Sequence, residues 1–143
     1  MSHAPDLARR LAAAYSALVQ RLLYPGSEAD SPYRPFSAEL NAGGEIGTDT
    51  FRSAAHLARW WQVDLTGADD WFEQVIGSTR SDATDDSAAY DTLHRIMRAT
   101  LTGALHYATA RADSPTFHPT RHYIVGRVPG GGIAGLITLS IET

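Results

Sequence analysis

The 143-residue chain contains neither cysteine nor lysine. Without cysteine there are no disulfides, no thiolate zinc site and no cysteine nucleophile, so stability must come from packing. Without lysine a Walker-type phosphate loop is excluded, and Gly126 and Gly130 to Gly132 lie between two expected strands rather than ahead of a helix. No apolar run approaches the length of a membrane span, and Met1 to Asp6 lacks a basic segment followed by an apolar core. The chain is therefore expected to be cytoplasmic, with no membrane partner. Hydrophobic residues at 43% and charged residues at 20% form an ordinary globular mix. One domain over residues 1–143 is expected, burying roughly two-thirds of its unfolded surface. Every base is arginine, which carries no functional conclusion by itself.

Charge is scarce in one sense and concentrated in another. The net charge is −4, yet Asp64, Asp69, Asp70, Glu73, Asp82, Asp85, Asp86 and Asp91 face only Arg80 within the same stretch. Such a surface repels polyanions and steers toward a basic partner, so direct nucleic-acid binding is not expected, whereas a nucleic-acid-binding protein is a fitting partner.

Leu7, Leu11, Tyr15, Leu18 and Leu22 recur at helical steps, predicting a helix from Pro5 to Leu23 that Pro25-Gly26 stops. A proline-restrained loop follows to Pro35, and Phe36 to Leu40 reads as a short strand. Asn41 to Gly44 is a turn signal, after which Thr48-Asp49-Thr50 predicts the cap of a helix reaching Trp60. Trp60-Trp61 reads as core, because only Arg59 interleaves with the pair in sequence. Ser78 to Ser87 reads as a polar loop, and Tyr90, Leu93, Met97, Leu101 and Leu105 predict a further helix. Tyr123–Val128 and Ile133–Ile141 flank Pro129-Gly130-Gly131-Gly132 and predict an antiparallel hairpin. In its second strand Ile133, Ile137, Leu139 and Ile141 alternate with polar residues, predicting one buried face that positions Thr143 at its end. The class is mixed α and β, with helices on the faces of a sheet.

Catalytic patterns are weak. His118-x-x-x-His122 has zinc-like spacing, but Pro119 opposes a helix and no further ligand completes a tetrahedron. His56, His94 and His106 fall in expected helical segments without a neighbouring nucleophile motif. Asp69-Asp70 and Asp85-Asp86 read as solvated acids rather than a cation site. A small hydrolase built on His106, His118 or His122 is the minor alternative, so the chain is expected to be neither an enzyme nor a holder of a metal or cofactor. A binding plug fits better: Glu28 in the restrained loop, Trp71 behind Asp69-Asp70, and Thr143 are all expected at the surface, an aromatic anchor among carboxylates suited to a basic groove.

Three stretches resemble the nuclease A inhibitor (NuiA-like) family. They are Leu22-Leu23-Tyr24-Pro25-Gly26-Ser27-Glu28 through Pro32-Tyr33-Arg34-Pro35-Phe36, then Asp70-Trp71-Phe72-Glu73, and finally Tyr123 to Leu136 through Ile141-Glu142-Thr143, which ends on the family's terminal Glu-Thr. The resemblance implies a three-layer α/β/α sandwich with a mainly antiparallel sheet, like the pathogenesis-related (CAP) fold. It also implies an inhibitor of a sugar-nonspecific DNA/RNA endonuclease of the ββα-metal class, guarding the producing cell from its own nuclease. Carried over by motif, Glu28 would pair with a catalytic arginine of the nuclease and Thr143 would approach its magnesium through water. Asp70 and Trp71 would make the rim contact, with Asp69 beside them where the family carries an amide, and Glu39 as a further contact. An interaction module with a non-nuclease partner is the alternative.

Overall fold

The structure, a computed structural model, describes residues 4–22, 32–40, 45–79, 86–112 and 119–141. The chain opens with helix α1 (Ala4–Leu18) and strand β1 (Arg34–Ala38), followed by helix α2 (Thr48–Ala54) and strand β2 (Trp61–Gly67). Helices α3 (Ala68–Thr79) and α4 (Asp86–Thr100) come next, and strands β3 (Thr102–Ala112), β4 (Thr120–Arg127) and β5 (Ile133–Ser140) complete the described chain. The strands form one sheet in the order β1-β5-β4-β3-β2, each neighbour antiparallel to the next. The expected α+β class is observed.

Successive residues of a strand point to opposite faces, and the sheet is covered on both. On one side Ala8, Ala12, Tyr15 and Val19 of the first helical segment, Phe72 and Val75 of α3, and Tyr90, Leu93 and Met97 of α4 pack on Leu105, Ile124, Ala134 and Leu136. On the other side Phe51 and Ala54 of α2 pack with Leu57 and Trp61 on Ala108, Ala110, Tyr123, Val125 and Ile133. Phe51 meets Tyr123 edge to face at 4.9 Å, and Phe36 meets Tyr123 at 5.1 Å, so three aromatic rings fix α2 to the sheet.

Several expectations change. The face that α1 buries is Ala8, Ala12 and Tyr15, continuing through Val19 and Leu22, while Leu7 and Leu18 are each 38% exposed. Small alanines let the helix axis approach β1 and β5 closely, and large leucines one step away point outward. The helix ends at Leu18, with Leu22 N–H donating to the Val19 carbonyl at 2.8 Å in a turn beyond it. Pro25-Gly26 lies outside the described residues. β1 begins two residues before the expected strand.

The second helix stops at Ala54, well short of Trp60, because His56 turns the chain into the left-handed region at φ 55°. Its start is Gly47, whose N–H donates to Thr50 Oγ1 at 2.7 Å, rather than a Thr48 cap. The last predicted helix ends at Thr100, and Leu105 belongs to β3. Gly103, φ 71°, lies inside β3 at an irregularity in the β3–β4 register. Ser78 and Thr79 complete α3 rather than opening a loop. Strand β2 was not expected at all.

The terminal hairpin is present, closed by Val128 N–H donating to the Gly132 carbonyl at 2.9 Å. Its single buried face is not. Thr138 and Ser140, expected in solvent, are 3% and 1% exposed, whereas Leu139 is 42% exposed. β5 lies inside the sheet with α1 packed against it, and Thr138 and Ser140 share the face of Ala134 and Leu136, so the covered side at its end is the polar one.

Candidate functional site

α3 holds two of its faces differently. Ala68, Phe72, Val75 and Thr79 are buried at helical spacing, which leaves Asp69 and Asp70 in the first turn, where the N-terminal end of the helix dipole favours acids. Asp70 is exposed. Asp69 faces α4 instead: its Oδ1 lies 2.7 Å from His94 Nε2 and its Oδ2 lies 3.8 Å from Arg98 Nη1. Asp69 is about half exposed, so this pairing adds little stability, but its carboxylate is not the free charge the sequence suggests. Asp91 likewise meets Arg95 at 2.9 Å. The acidic stretch counted to residue 91 is thus partly neutralised by the next turn of α4.

Trp71 is half-buried rather than fully displayed. Its ring lies flat on Tyr107 at 5.2 Å and 12°, and meets Phe72 and Tyr90 edge-on at 5.1 and 5.9 Å. Packing on three sides fixes the rotamer, so the open part of the ring is a rigid contact area that loses little entropy when covered.

Tyr107 leads from that ring into a polar chain across three strands. Its hydroxyl lies 2.5 Å from His122 Nδ1, and His122 Nε2 lies 2.6 Å from Ser140 Oγ. His122 is 4% exposed, and burial, with Arg111 adding to it, lowers its pKa to about 4. Two residues before Ser140, Thr138 Oγ1 donates to the Pro32 carbonyl at 3.0 Å. Glu28 and Thr143 lie outside the described residues. The described flank of the Glu28 loop, Pro32, and the strand leading to Thr143 are nevertheless joined, and that strand is joined through His122 and Tyr107 to Trp71.

Glu39 does not share this neighbourhood. It lines an open depression of about 590 Å³ with Phe36, Asp49, Ser53 and His56, on the side of the sheet that α2 covers. Trp71 packs on the opposite side.

The remaining histidines are dispersed. His56 sits in the turn after α2 and His106 in β3, neither in a helix, while His94 is in α4. Burial lowers the pKa of His106, with Glu45 opposing. His118 lies outside the described residues. The Ser140–His122 pair has the reach of a nucleophile and its base, but a hydroxyl 1% exposed is not presented to a substrate. Among the described residues no group of three or more His, Asp or Glu could hold a metal ion, and no helix is long and apolar enough to cross a membrane.

Trp60 and Trp61 divide. Trp61 is core at 6% exposed, Trp60 is 44% exposed and stacks on it at 4.7 Å, and Arg121 lies 4.4 Å over the Trp61 ring. A base does therefore join the pair, from β4 rather than from sequence neighbours. In sequence His122 stands out only as a metal or hydrolase candidate, and neither Tyr107 nor Ser140 stands out. In β5 the one trace of the line is two polar residues, Thr138 and Ser140, in an otherwise apolar strand.

Taken together, the antiparallel sheet, its packed helices and an acid-flanked aromatic ring joined to β5 define a small α+β protein with a polar-aromatic line across its inner strands. The chain belongs to the nuclease A inhibitor-like protein family, whose match covers residues 9–143. The family implies a nuclease as the partner in general. Among the curated proteins none matches the chain.

Proposed function

We propose that this protein binds and blocks the active site of a sugar-nonspecific DNA/RNA endonuclease of the ββα-metal class, with no catalysis of its own. The observation that carries this reading is the family match, which runs from residue 9 to residue 143 and so includes the Glu28 and Thr143 motifs as well as Asp70-Trp71. In this mechanism Glu28 substitutes for a substrate phosphate against a catalytic arginine, as a carboxylate can in bidentate geometry. Thr143 approaches the nuclease magnesium through a water, which suits a cation that dehydrates reluctantly. Asp70 and the fixed Trp71 ring form the rim. Asp69, already engaged by His94 and Arg98, contributes less than Asp70. The protein acts in the cytoplasm as a guard against the cell's own nuclease.

Titration of a ββα-metal nuclease tests this directly. Glu28→Ala is expected to weaken inhibition about 100-fold or more, as removal of one member of a desolvated charge pair does. A chain extended by a few residues beyond Thr143 is expected to lose inhibition; full inhibition by it would overturn the terminal role. If the unmodified protein inhibits no nuclease of this class, the reading falls and the interaction module with a non-nuclease partner takes its place.

A further inference from the structure

Buried polar side chains in a sheet interior need a reason, because each must be desolvated and then matched. Tyr107, His122 and Ser140 lie on β3, β4 and β5, one on each strand, and their side chains form a continuous line. A neutral imidazole carries one N–H, so the two hydrogen bonds of His122 must run in the same sense: Tyr107 to His122 to Ser140, or the reverse. Breaking either end frees the other to reorient. The line is therefore one mechanical and electrostatic unit rather than two separate contacts. One end carries the ring on which Trp71 lies flat, and the other is Ser140, which leads through Ile141 toward Thr143.

We propose that Tyr107, His122 and Ser140 are positioning residues that hold Trp71 and the end of β5 in one fixed relation, so that both contact elements meet the partner pre-arranged. None of the three touches the partner; they act through Trp71 and the terminal strand. The proposal rests on the inhibitor reading for its consequence in binding, but the linkage itself is a property of the free protein. Pre-arrangement of this kind acts mainly on the dissociation rate, because an interface ordered in advance has less to lose on docking.

The test uses Tyr107→Phe, which removes the hydroxyl and keeps the ring under Trp71, Ser140→Ala, and the two combined. In the free protein, each single substitution is expected to shift the Trp71 indole resonance and to speed amide exchange at Ile141, at opposite ends of the line from one another. The double variant is expected to move both no further than the singles. With the nuclease bound, each single and the double are expected to raise the dissociation rate by the same factor, about tenfold, matching the net worth of a buried hydrogen bond. Leu57→Ala, which loosens the core cluster on the opposite side of the sheet from Trp71 and Tyr107, is expected to lower the melting temperature while leaving the indole resonance and dissociation rate unchanged. A Trp71 resonance unmoved by Ser140→Ala in a folded protein would overturn the linkage, and so would dissociation factors that multiply in the double variant. If the unmodified protein inhibits no nuclease, the inhibitor reading fails alone, and the free-protein resonances still decide whether the line exists.

Discussion

A single methyl group at residue 135 has no room. A Cβ built on Gly135 would stand 1.8 Å from the Ile124 carbonyl oxygen, backbone that cannot step aside without parting β4 from β5. Gly135→Ala is expected to destabilise the fold by at least about 3 kcal/mol, read from the urea midpoint. His122 makes a second residue-scale prediction. Its folded pKa, about 4, is below the ordinary 6.5, so between those values the unfolded chain binds a proton that the native one does not. Stability from this group is therefore complete above about pH 6.5 and lost as pH falls toward 4, up to roughly 3 kcal/mol. Urea midpoints measured across that window should slope upward with pH, and His122→Gln should flatten the slope. None of this was legible in the sequence, where His122 stood out only through a zinc-like spacing to His118. Burial of a histidine beside a serine is a tertiary fact, set by which strand becomes the neighbour of which. The surface position expected for Asp70 is observed, and its physical reason is the first turn of α3, a helix not predicted from the sequence.

At the scale of elements, α3 and α4 are joined by Phe72, fully buried, whose ring lies 4.3 Å from the His94 ring and 5.1 Å from Trp71. Phe72→Ala should cost about 3–5 kcal/mol and also loosen Trp71, so calorimetry and Trp fluorescence should change together. Asp69→Asn should do much less, within about 0.5 kcal/mol, because the pair it alters is half solvated and an amide still accepts from His94. The existence of α1, α2 and α4 was readable from apolar spacing and caps, but their limits were not, and α3 was not predicted. Leu101 and Leu105 happen to continue the spacing of α4, yet Leu105 lies in a strand. The helix ends at Thr100 and the strand begins at Thr102, a boundary that the apolar periodicity does not register. Trp61 to Gly67 failed as a strand for a related reason. In β2 Trp61, Val63 and Leu65 alternate strictly with Gln62, Asp64 and Thr66, so the strand signal was present, but it begins directly after the helix that the spacing carried to Trp60.

For the molecule as a whole, the acid-rich stretch sets a long-range field even after Arg95 and Arg98 offset part of it. If the partner is basic, raising ionic strength from 50 to 500 mM should slow association by about tenfold while changing dissociation little, a contrast that stopped-flow mixing would resolve. The sheet order also governs how the molecule is made. Among the described residues β1 pairs only with β5, with Arg34 opposite Ile137, so it waits for a strand about a hundred residues later in the chain. Until residues 133–140 leave the ribosome, β1 and β4 both present unpaired edges, and a chain interrupted before that point is an aggregation hazard rather than a weakened binder.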